Sequence, residues 1–259
     1  MNEHRPLDPA GTVSSFVADG IGDICFGHPK SNSLPAPVLA ALARAITDLG
    51  ARDDVRVVVL RSYGTSAFCA GASFDELVAI ADPSAGQEFF MGFARVTLAM
   101  MRCPKPIITR VHGKVVGGGV GIVAASDYAM AVDTASLRLS ELAVGIGPFV
   151  VGPAIERKIG PGAFSAMALD ADWRDAKWGE QHGLFAKLFD SVEGLDAGLD
   201  AFARQVAAAN PEAVRQIKAI AWANTDHWPA LLSERAAMSG RMVLSDYTRA
   251  AIGKFRGKG

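Results

Sequence analysis

Residues 105–153, KPIITRVHGKVVGGGVGIVAASDYAMAVDTASLRLSELAVGIGPFVVGP, constrain the fold of this chain more than any other stretch. They open on an apolar run of β character at 106–111, which a His112-Gly113 turn ends. Three consecutive glycines, Gly117, Gly118 and Gly119, then stand at the mouth of a helix built of small residues. A second short strand is expected around 128–132. The stretch closes on a lone acid, Glu141, in apolar surroundings. Glycines ahead of a helix let backbone N–H groups approach a ligand and point at developing negative charge. A carboxyl group in an apolar setting holds its proton more tightly and transfers it near neutral pH. Together the two parts point to an enzyme that stabilises an oxyanion or enolate.

The flanking sequence places this stretch in a strand–helix–strand order, the mark of a mixed α/β core with crossover connections. The first ten residues read as a mobile arm. Residues 13–26 read as a hairpin turning at Asp19-Gly20, and 28–32 as a loop. Ser33 is placed to cap the next helix, with Pro35 near its first turn. Val38, Leu42, Ala45 and Leu49 recur at helical spacing, and Gly50 is expected to end the run. The β-branched run 55–60 suits a strand buried on both faces. Gly71 follows a short apolar run, at a strand's C-terminal edge, where ligands of open α/β sheets collect. Phe89, Phe93, Val96 and Met100 mark one face of an amphipathic helix over 87–101. Short helices are expected at 152–159, 161–169 and 174–181, and a last strand at 185–189. From Leu195 onward helical spacing dominates, over 195–209, 211–223, 229–244 and 246–255. The chain thus divides into a core, 1–194, and a helical region, 195–259, expected to pack on the core or on a neighbouring subunit.

Several function classes lose support. The 259 residues carry a formal net charge of -1, which offers no basic footprint for nucleic acid. Cys25, Cys69 and Cys103 show neither metal spacing nor a disulfide framework, which suits a reducing compartment. The N-terminus lacks the apolar stretch of a signal peptide, and no run reaches the roughly 18 apolar residues of a membrane helix. The expectation is a cytoplasmic protein with no membrane, nucleic-acid or metal partner. There is no G-x-G-x-x-G, no G-x-x-x-x-G-K-[ST] and no G-x-S-x-G, so a dinucleotide enzyme, a nucleotide hydrolase and a serine esterase are disfavoured. Two glycine turns remain, at 70–72 and 117–119, each following a predicted strand. They read as structural turns or, if adjacent in space, as one oxyanion hole made of main chain. Glu141 reads as a surface or capping residue, or as an acid/base. His112 is expected to be a structural hydrogen-bond partner, Asp127 to hold a turn, and Cys69 to be a small buried filler. Asp75 and Glu76 fit a solvated helix start. Trp173, Trp178, Trp222 and Trp228 read as packing or interface anchors.

Three motifs in order, AFCAGASFDEL, KPIITRVHGKVVGGGVGIVAASDYAMA and LSELAVGIGPF, resemble the crotonase (enoyl-CoA hydratase/isomerase) family. The early SNSLP, the VRVVVLRS strand and the later ERKIG extend the likeness across roughly the first two-thirds of the chain. The resemblance implies an α/β fold, a spiral of repeated β-β-α units. It also implies that the C-terminal helical region serves assembly, as a homotrimer or a dimer of trimers. The implied substrate is an acyl-CoA thioester, with coenzyme A as its carrier part and no separate cofactor. By the same likeness the N–H groups of Ala72 and Gly118 hold the thioester oxygen, Glu141 is the acid/base, and Ala70 meets the adenine end of the coenzyme. Gly71 and Gly117 shape the same substrate-binding turns. Phe149 and Val150 are expected to wall the acyl pocket, and Lys254, Arg256 and Lys258 either meet a phosphate or form a solvated terminus. The sequence departs from the family pattern twice. Gly121 stands where hydratases usually carry the first of two glutamates, and Ser73 replaces an acid often found after the CAGA turn. The leading expectation is water addition to a 2-enoyl-CoA. A single-glutamate enoyl-CoA isomerase, a decarboxylase of malonyl-type thioesters and a non-catalytic acyl-CoA-binding protein stay open beside it.

Overall fold

The computed structural model describes residues 7–256, with side chains through Gly253. The first six residues of the expected arm, Lys258, and the side chains of Lys254 and Arg256 lie outside the described residues.

Strands β1 (Thr12–Ala18) and β2 (Ile21–Gly27) form the expected antiparallel hairpin. Its turn holds Asp19 at φ 52° and Gly20 at φ 77°, the left-handed pair that a tight two-residue hairpin turn requires. Helix α1 (Ala36–Ala51) buries Val38, Leu42 and Leu49. Two local expectations fail here. Ser33 does not cap α1, because Pro35 holds the cap position and the Ser33 hydroxyl instead meets His28 Nδ1 at 3.0 Å. Gly50 does not end the helix; it lies inside it, where a Cβ would come within 3.0 Å of Cys103 Sγ.

The chain then repeats one unit. Strands β3 (Val57–Ser62) and β4 (Ala67–Cys69) lead into helices α2 (Phe74–Ala79) and α3 (Pro83–Arg102). Strands β5 (Ile107–Val111) and β6 (Lys114–Val116) lead into α4 (Gly118–Ala125). Strands β7 (Tyr128–Val132) and β8 (Ser136–Arg138) lead through a 3-10 turn (Leu142–Val144) into α5 (Gly152–Asp170). Within each unit the first strand joins a six-stranded sheet and the second a four-stranded one. The six-stranded order is β1-β2-β3-β5-β7-β10, with β10 at Lys187–Phe189, and it is parallel from β2 onward. The four-stranded order is β4-β6-β8-β9, with β9 at Arg174–Asp175 antiparallel to β8. This is the expected spiral of β-β-α units. The expected pair of helices over 152–169 is α5 itself, bent at Gly160, whose φ of 80° and ψ of 158° are not helical. Arg174 and Asp175 belong to β9 rather than to a helix. Helix α6 (Ala176–Gln181) starts after them, capped by Asp175 Oδ1, which accepts the Trp178 N–H at 2.7 Å.

The helical tail consists of α7 (Val192–Ala208), α8 (Pro211–Ala221), α9 (Trp228–Val243) and α10 (Asp246–Arg256). Helix α9 lies backbone to backbone on α3, since a Cβ at Gly86 would come 2.7 Å from the Gly240 Cα. Trp222 and Trp228 pack edge to face with ring centroids 5.9 Å apart. The tail is also fastened by one buried cation. Lys218 Nζ donates to the carbonyls of Met100 and Lys105 at 2.8 and 3.0 Å, and to Asp127 Oδ2 at 2.7 Å. Asp127 holds the turn before β7, accepting the Ile107 N–H at 2.7 Å and the Trp222 indole N–H at 3.1 Å. Lys218→Met leaves this carboxylate and two carbonyls without their cation. We expect it to lower unfolding free energy by about 3–5 kcal/mol. In urea titration this appears as a lower midpoint at unchanged slope. Among the described residues no helix is long and apolar enough to cross a membrane.

Candidate active site

The strands β4, β6 and β8 are neighbours and parallel, so the segments leaving their C-terminal ends emerge along one sheet edge. Those segments carry Ala70 to Ala72, Gly117 to Gly119, and Glu141. The register Val116 opposite Arg138 is continued by the Gly117 N–H, which donates to the Arg138 carbonyl at 2.9 Å. One geometric fact, three short parallel strands, therefore brings together residues that lie 70 positions apart in sequence.

Each glycine turn has the same construction. Gly71 has φ 88° and Gly117 has φ 54° with ψ -120°, values that L side chains rarely adopt. A positive φ rotates the following peptide, so the next N–H leaves the turn instead of closing it. Those next groups are the N–H of Ala72 and the N–H of Gly118. Among the described residues neither has a protein acceptor. The two turns touch: a Cβ at Gly71 would lie 3.0 Å from the Val116 carbonyl oxygen and 3.7 Å from the Gly118 nitrogen. The adjacency that the sequence left conditional is present.

Glu141 opens the 3-10 turn, and its carbonyl accepts the N–H groups of Val144 and Ile146 at 3.1 and 3.0 Å. Its backbone is thereby pinned, while the carboxyl is met only by backbone groups, those of Glu141 itself and Ser140. The carboxyl lies against the second turn, for a Cβ at Gly117 would come 3.1 Å from Glu141 Oε1. Oε2 is enclosed and among the described residues has no hydrogen-bond partner. Burial without a compensating cation pushes the carboxyl up to about 7. At neutral pH it is poised between its acid and base forms.

The residues expected to hold the thioester, move the proton and wall the acyl pocket line one cavity of about 190 Å³: Ala70, Gly71, Ala72, Gly117, Gly118, Glu141, Phe149 and Val150. Its remaining wall is mostly apolar, with Phe74, Leu77, Phe90, Phe93 and Val151 among it. Phe93 lies directly under the second turn, where a Cβ at Gly118 would overlap its ring. The sequence marked Phe93 as a core face of α3, not as a cavity wall. Ser239 on α9 also lines the cavity, and no local pattern announced it.

The departures from the family pattern have visible substitutes. Gly121 sits inside α4, and a Cβ there would come 2.5 Å from Val151 Cγ1. The space beside position 121 is occupied by Val151. Ser73 caps α2, its hydroxyl accepting the Glu76 N–H at 3.4 Å. Asp75 and Glu76 lie in the first turn of that helix, Asp75 paired with Lys30 and Glu76 Oε2 accepting the Ala36 N–H at 2.8 Å. Cys69 is a buried filler whose thiol burial pushes up to about 12, too high for a thiolate nucleophile at neutral pH. His112 is buried beside the Ala67 backbone, which hydrogen-bonds it. Burial, then the charge of Arg110, hold it down to about 4, so it stays neutral.

The comparisons with known proteins agree with this geometry. Residues 17–254 match the family model described as enoyl-CoA hydratase/isomerase. A (7aS)-7a-methyl-1,5-dioxo-2,3,5,6,7,7a-hexahydro-1H-indene-carboxyl-CoA hydrolase of Rhodococcus jostii (strain RHA1) is 33% identical over 132 residues, 51% of this chain and 51% of the relative. The protein of the same name from Mycobacterium tuberculosis (strain ATCC 25618 / H37Rv) is 32% identical over 133 residues, 51% of this chain and 53% of the relative. The chain thus spans about half the length of the curated relatives it matches. In fold, it superposes on the crystal structure of an enoyl-CoA hydratase from Bacillus halodurans with a TM-score of 0.86 at 16% identity, covering 93% of this chain and 99% of the other. With the motif order, the strand-edge geometry and a family match across nearly the whole chain, this protein belongs to the enoyl-CoA hydratase/isomerase family.

Proposed function

We propose that this chain is an acyl-CoA enzyme. In this reading it binds a thioester carbonyl oxygen between the N–H groups of Ala72 and Gly118 and uses Glu141 as its single acid/base. The observation that carries the reading is the buried carboxyl of Glu141, with no cation beside it and Oε2 unpartnered among the described residues, lying against the turn that presents the Gly118 N–H. Charge that gathers on the thioester oxygen as an enolate forms would meet two main-chain donors, while one carboxyl moves the proton at the neighbouring carbon.

One carboxyl suffices to add water to a 2-enoyl thioester. Glu141 as carboxylate takes a proton from water as the oxygen bonds to C3, and the C2–C3 π electrons pass to the thioester oxygen as an enolate. Glu141, now protonated, returns that proton to C2 as the enolate collapses. One water is consumed and the carboxylate is restored. A second acid is not needed in this scheme, and Val151 leaves no space for one at position 121. A second reading is favoured by the names of the two relatives: hydrolysis of an oxo-substituted cyclic acyl-CoA, with Glu141 again activating water.

The test is mass analysis of crotonyl-CoA, a 3-enoyl-CoA and an oxo-substituted cyclic acyl-CoA after incubation with the protein. Gain of one water by crotonyl-CoA supports the first reading, and gain of water with ring opening or thioester loss by the cyclic substrate supports the second. Conversion of the 3-enoyl to the 2-enoyl ester without water would replace both with a single-carboxyl isomerase. No change in any of the three would sink the catalytic reading.

A further inference from the structure

Among the described residues Ser239 is the one hydroxyl that the tail contributes to the cavity, and its surroundings are unusual for a helical serine. It is 1% exposed, and among the described residues its Oγ has no hydrogen-bond partner. A serine within a helix ordinarily bonds back to the carbonyl one turn earlier, which this one does not do. Leaving a buried hydroxyl unpaired is unfavourable, so the side chain stands where a partner from outside the protein is worth most. Ser239 lines the same cavity as Glu141 and the two glycine turns, which sets it beside whatever that cavity holds; Arg235 Nε, one turn earlier on α9, is likewise buried with no partner among the described residues.

The position of the hydroxyl is well determined. The next residue, Gly240, packs on α3 so closely that a Cβ there would come 2.6 Å from the Gln87 nitrogen. About two turns earlier, the Gln87 side chain donates to the Ser233 hydroxyl at 3.3 Å. Helix α9 therefore cannot rotate or slide at Ser239 without breaking this seam. The cavity wall supplied by α2 and α3 is apolar, with Phe74, Leu77, Phe90 and Phe93. The other polar groups of the cavity come from the sheet edge, where the thioester would be held. Ser239 enters from a different element, the helical tail.

We infer that Ser239 is a specificity-determining residue that hydrogen-bonds an oxygen atom carried by the acyl group, so that the enzyme takes acyl thioesters bearing an oxo or hydroxyl substituent in preference to plain hydrocarbon ones. A serine hydroxyl both donates and accepts, so either substituent satisfies it. This inference rests on the acyl-CoA reading above and names the class of acyl group.

The experiment compares two ligands that differ by one oxygen, cyclohexanecarboxyl-CoA and its ring-oxo analogue. Their binding to the full chain and to Ser239→Ala is followed by calorimetry. The wild type is expected to bind the oxo compound about tenfold more tightly, the worth of one good buried hydrogen bond. Ser239→Ala is expected to lose that preference, to bind the plain compound within about twofold of the wild type, and to melt no lower, since it removes an unpaired hydroxyl. Equal binding of the two ligands by the wild type, or an undiminished preference in the alanine variant, would overturn the inference while leaving the acyl-CoA reading intact. Uniform weakening of both ligands, or a clearly lowered melting temperature, would assign Ser239 to a bound water or to packing instead. If neither ligand binds the wild type, the acyl-CoA reading itself fails and takes this inference with it.

Discussion

Glu141→Gln is expected to reduce turnover by about 10²- to 10⁴-fold while leaving acyl-CoA affinity within a few-fold of the wild type. Glutamine keeps the shape and the enclosed position of the side chain and loses only the transferable proton. In the proposed reading affinity is set elsewhere, by the two N–H donors and the apolar wall. The same variant has a second signature in stability. Burial raises this carboxyl from 4.5 to about 7, so the folded chain keeps the proton after the unfolded chain has released it. Between those two values the folded state binds more protons, and stability falls as pH rises. Stability is full below the unfolded value and is lost as pH climbs through about 7. Glu141→Gln lacks this slope. At pH 8 it is expected to exceed the wild type by about 3 kcal/mol, while near pH 4 the two converge. Urea titrations at both pH values check it. Loss of activity together with a gain of stability is the pattern of a residue kept for chemistry, and a capping or packing glutamate would show neither. In the rate profile, a base role makes kcat/KM rise with pH through about 7.

Gly117→Ala is the second large effect, expected to lower activity by at least about 100-fold and stability by about 1–3 kcal/mol. Two separate causes act on one atom. The backbone at φ 54° and ψ -120° is a conformation that alanine populates only under strain, and relaxing it would turn the Gly118 N–H away from the cavity. The added Cβ would also lie 3.1 Å from Glu141 Oε1, tighter than an ordinary contact, so the carboxyl must shift. Gly162→Ala is the control. That glycine lies in α5, and a Cβ there meets nothing within 4 Å. It is expected to be neutral in activity and neutral or slightly stabilising, since alanine is the better helix former. Circular dichroism melts and turnover measured on both variants distinguish a local effect at the turn from a general cost of replacing glycine.

Much of the site was legible because its signals are local. A glycine after a short apolar run announces a turn, and Gly71 and Gly117 both prove to need positive φ. Glu141 stood out as the lone acid of an apolar stretch. The contact between the two turns was not legible, since it depends on β4 and β6 pairing across the intervening chain of residues 70–113. Position 121 shows the same limit. The sequence reveals that an acid is missing there, but only the packing of α5 on α4 reveals that Val151 occupies the space. Ser239 was invisible because its meaning lies in where α9 docks, and helical spacing along α9 reports only that a helix forms. Local rules also failed where tertiary partners compete. His28 claims the Ser33 hydroxyl that a capping rule assigns to α1, and α1 runs one residue past Gly50, to Ala51, before it ends. The helical tail was legible throughout, because its apolar residues recur at helical spacing over long segments.

The central claim is that two main-chain donors and one carboxyl form and protonate a thioester enolate. It is tested most directly with a saturated acyl-CoA, which can undergo no net reaction. In deuterated water, butyryl-CoA bound to the wild type should acquire deuterium at C2, seen as a mass increase confined to the acyl group. Glu141→Gln should bind the same ligand and exchange about 10²- to 10⁴-fold more slowly. Binding without exchange in the wild type, or exchange undiminished in Glu141→Gln, would contradict the account.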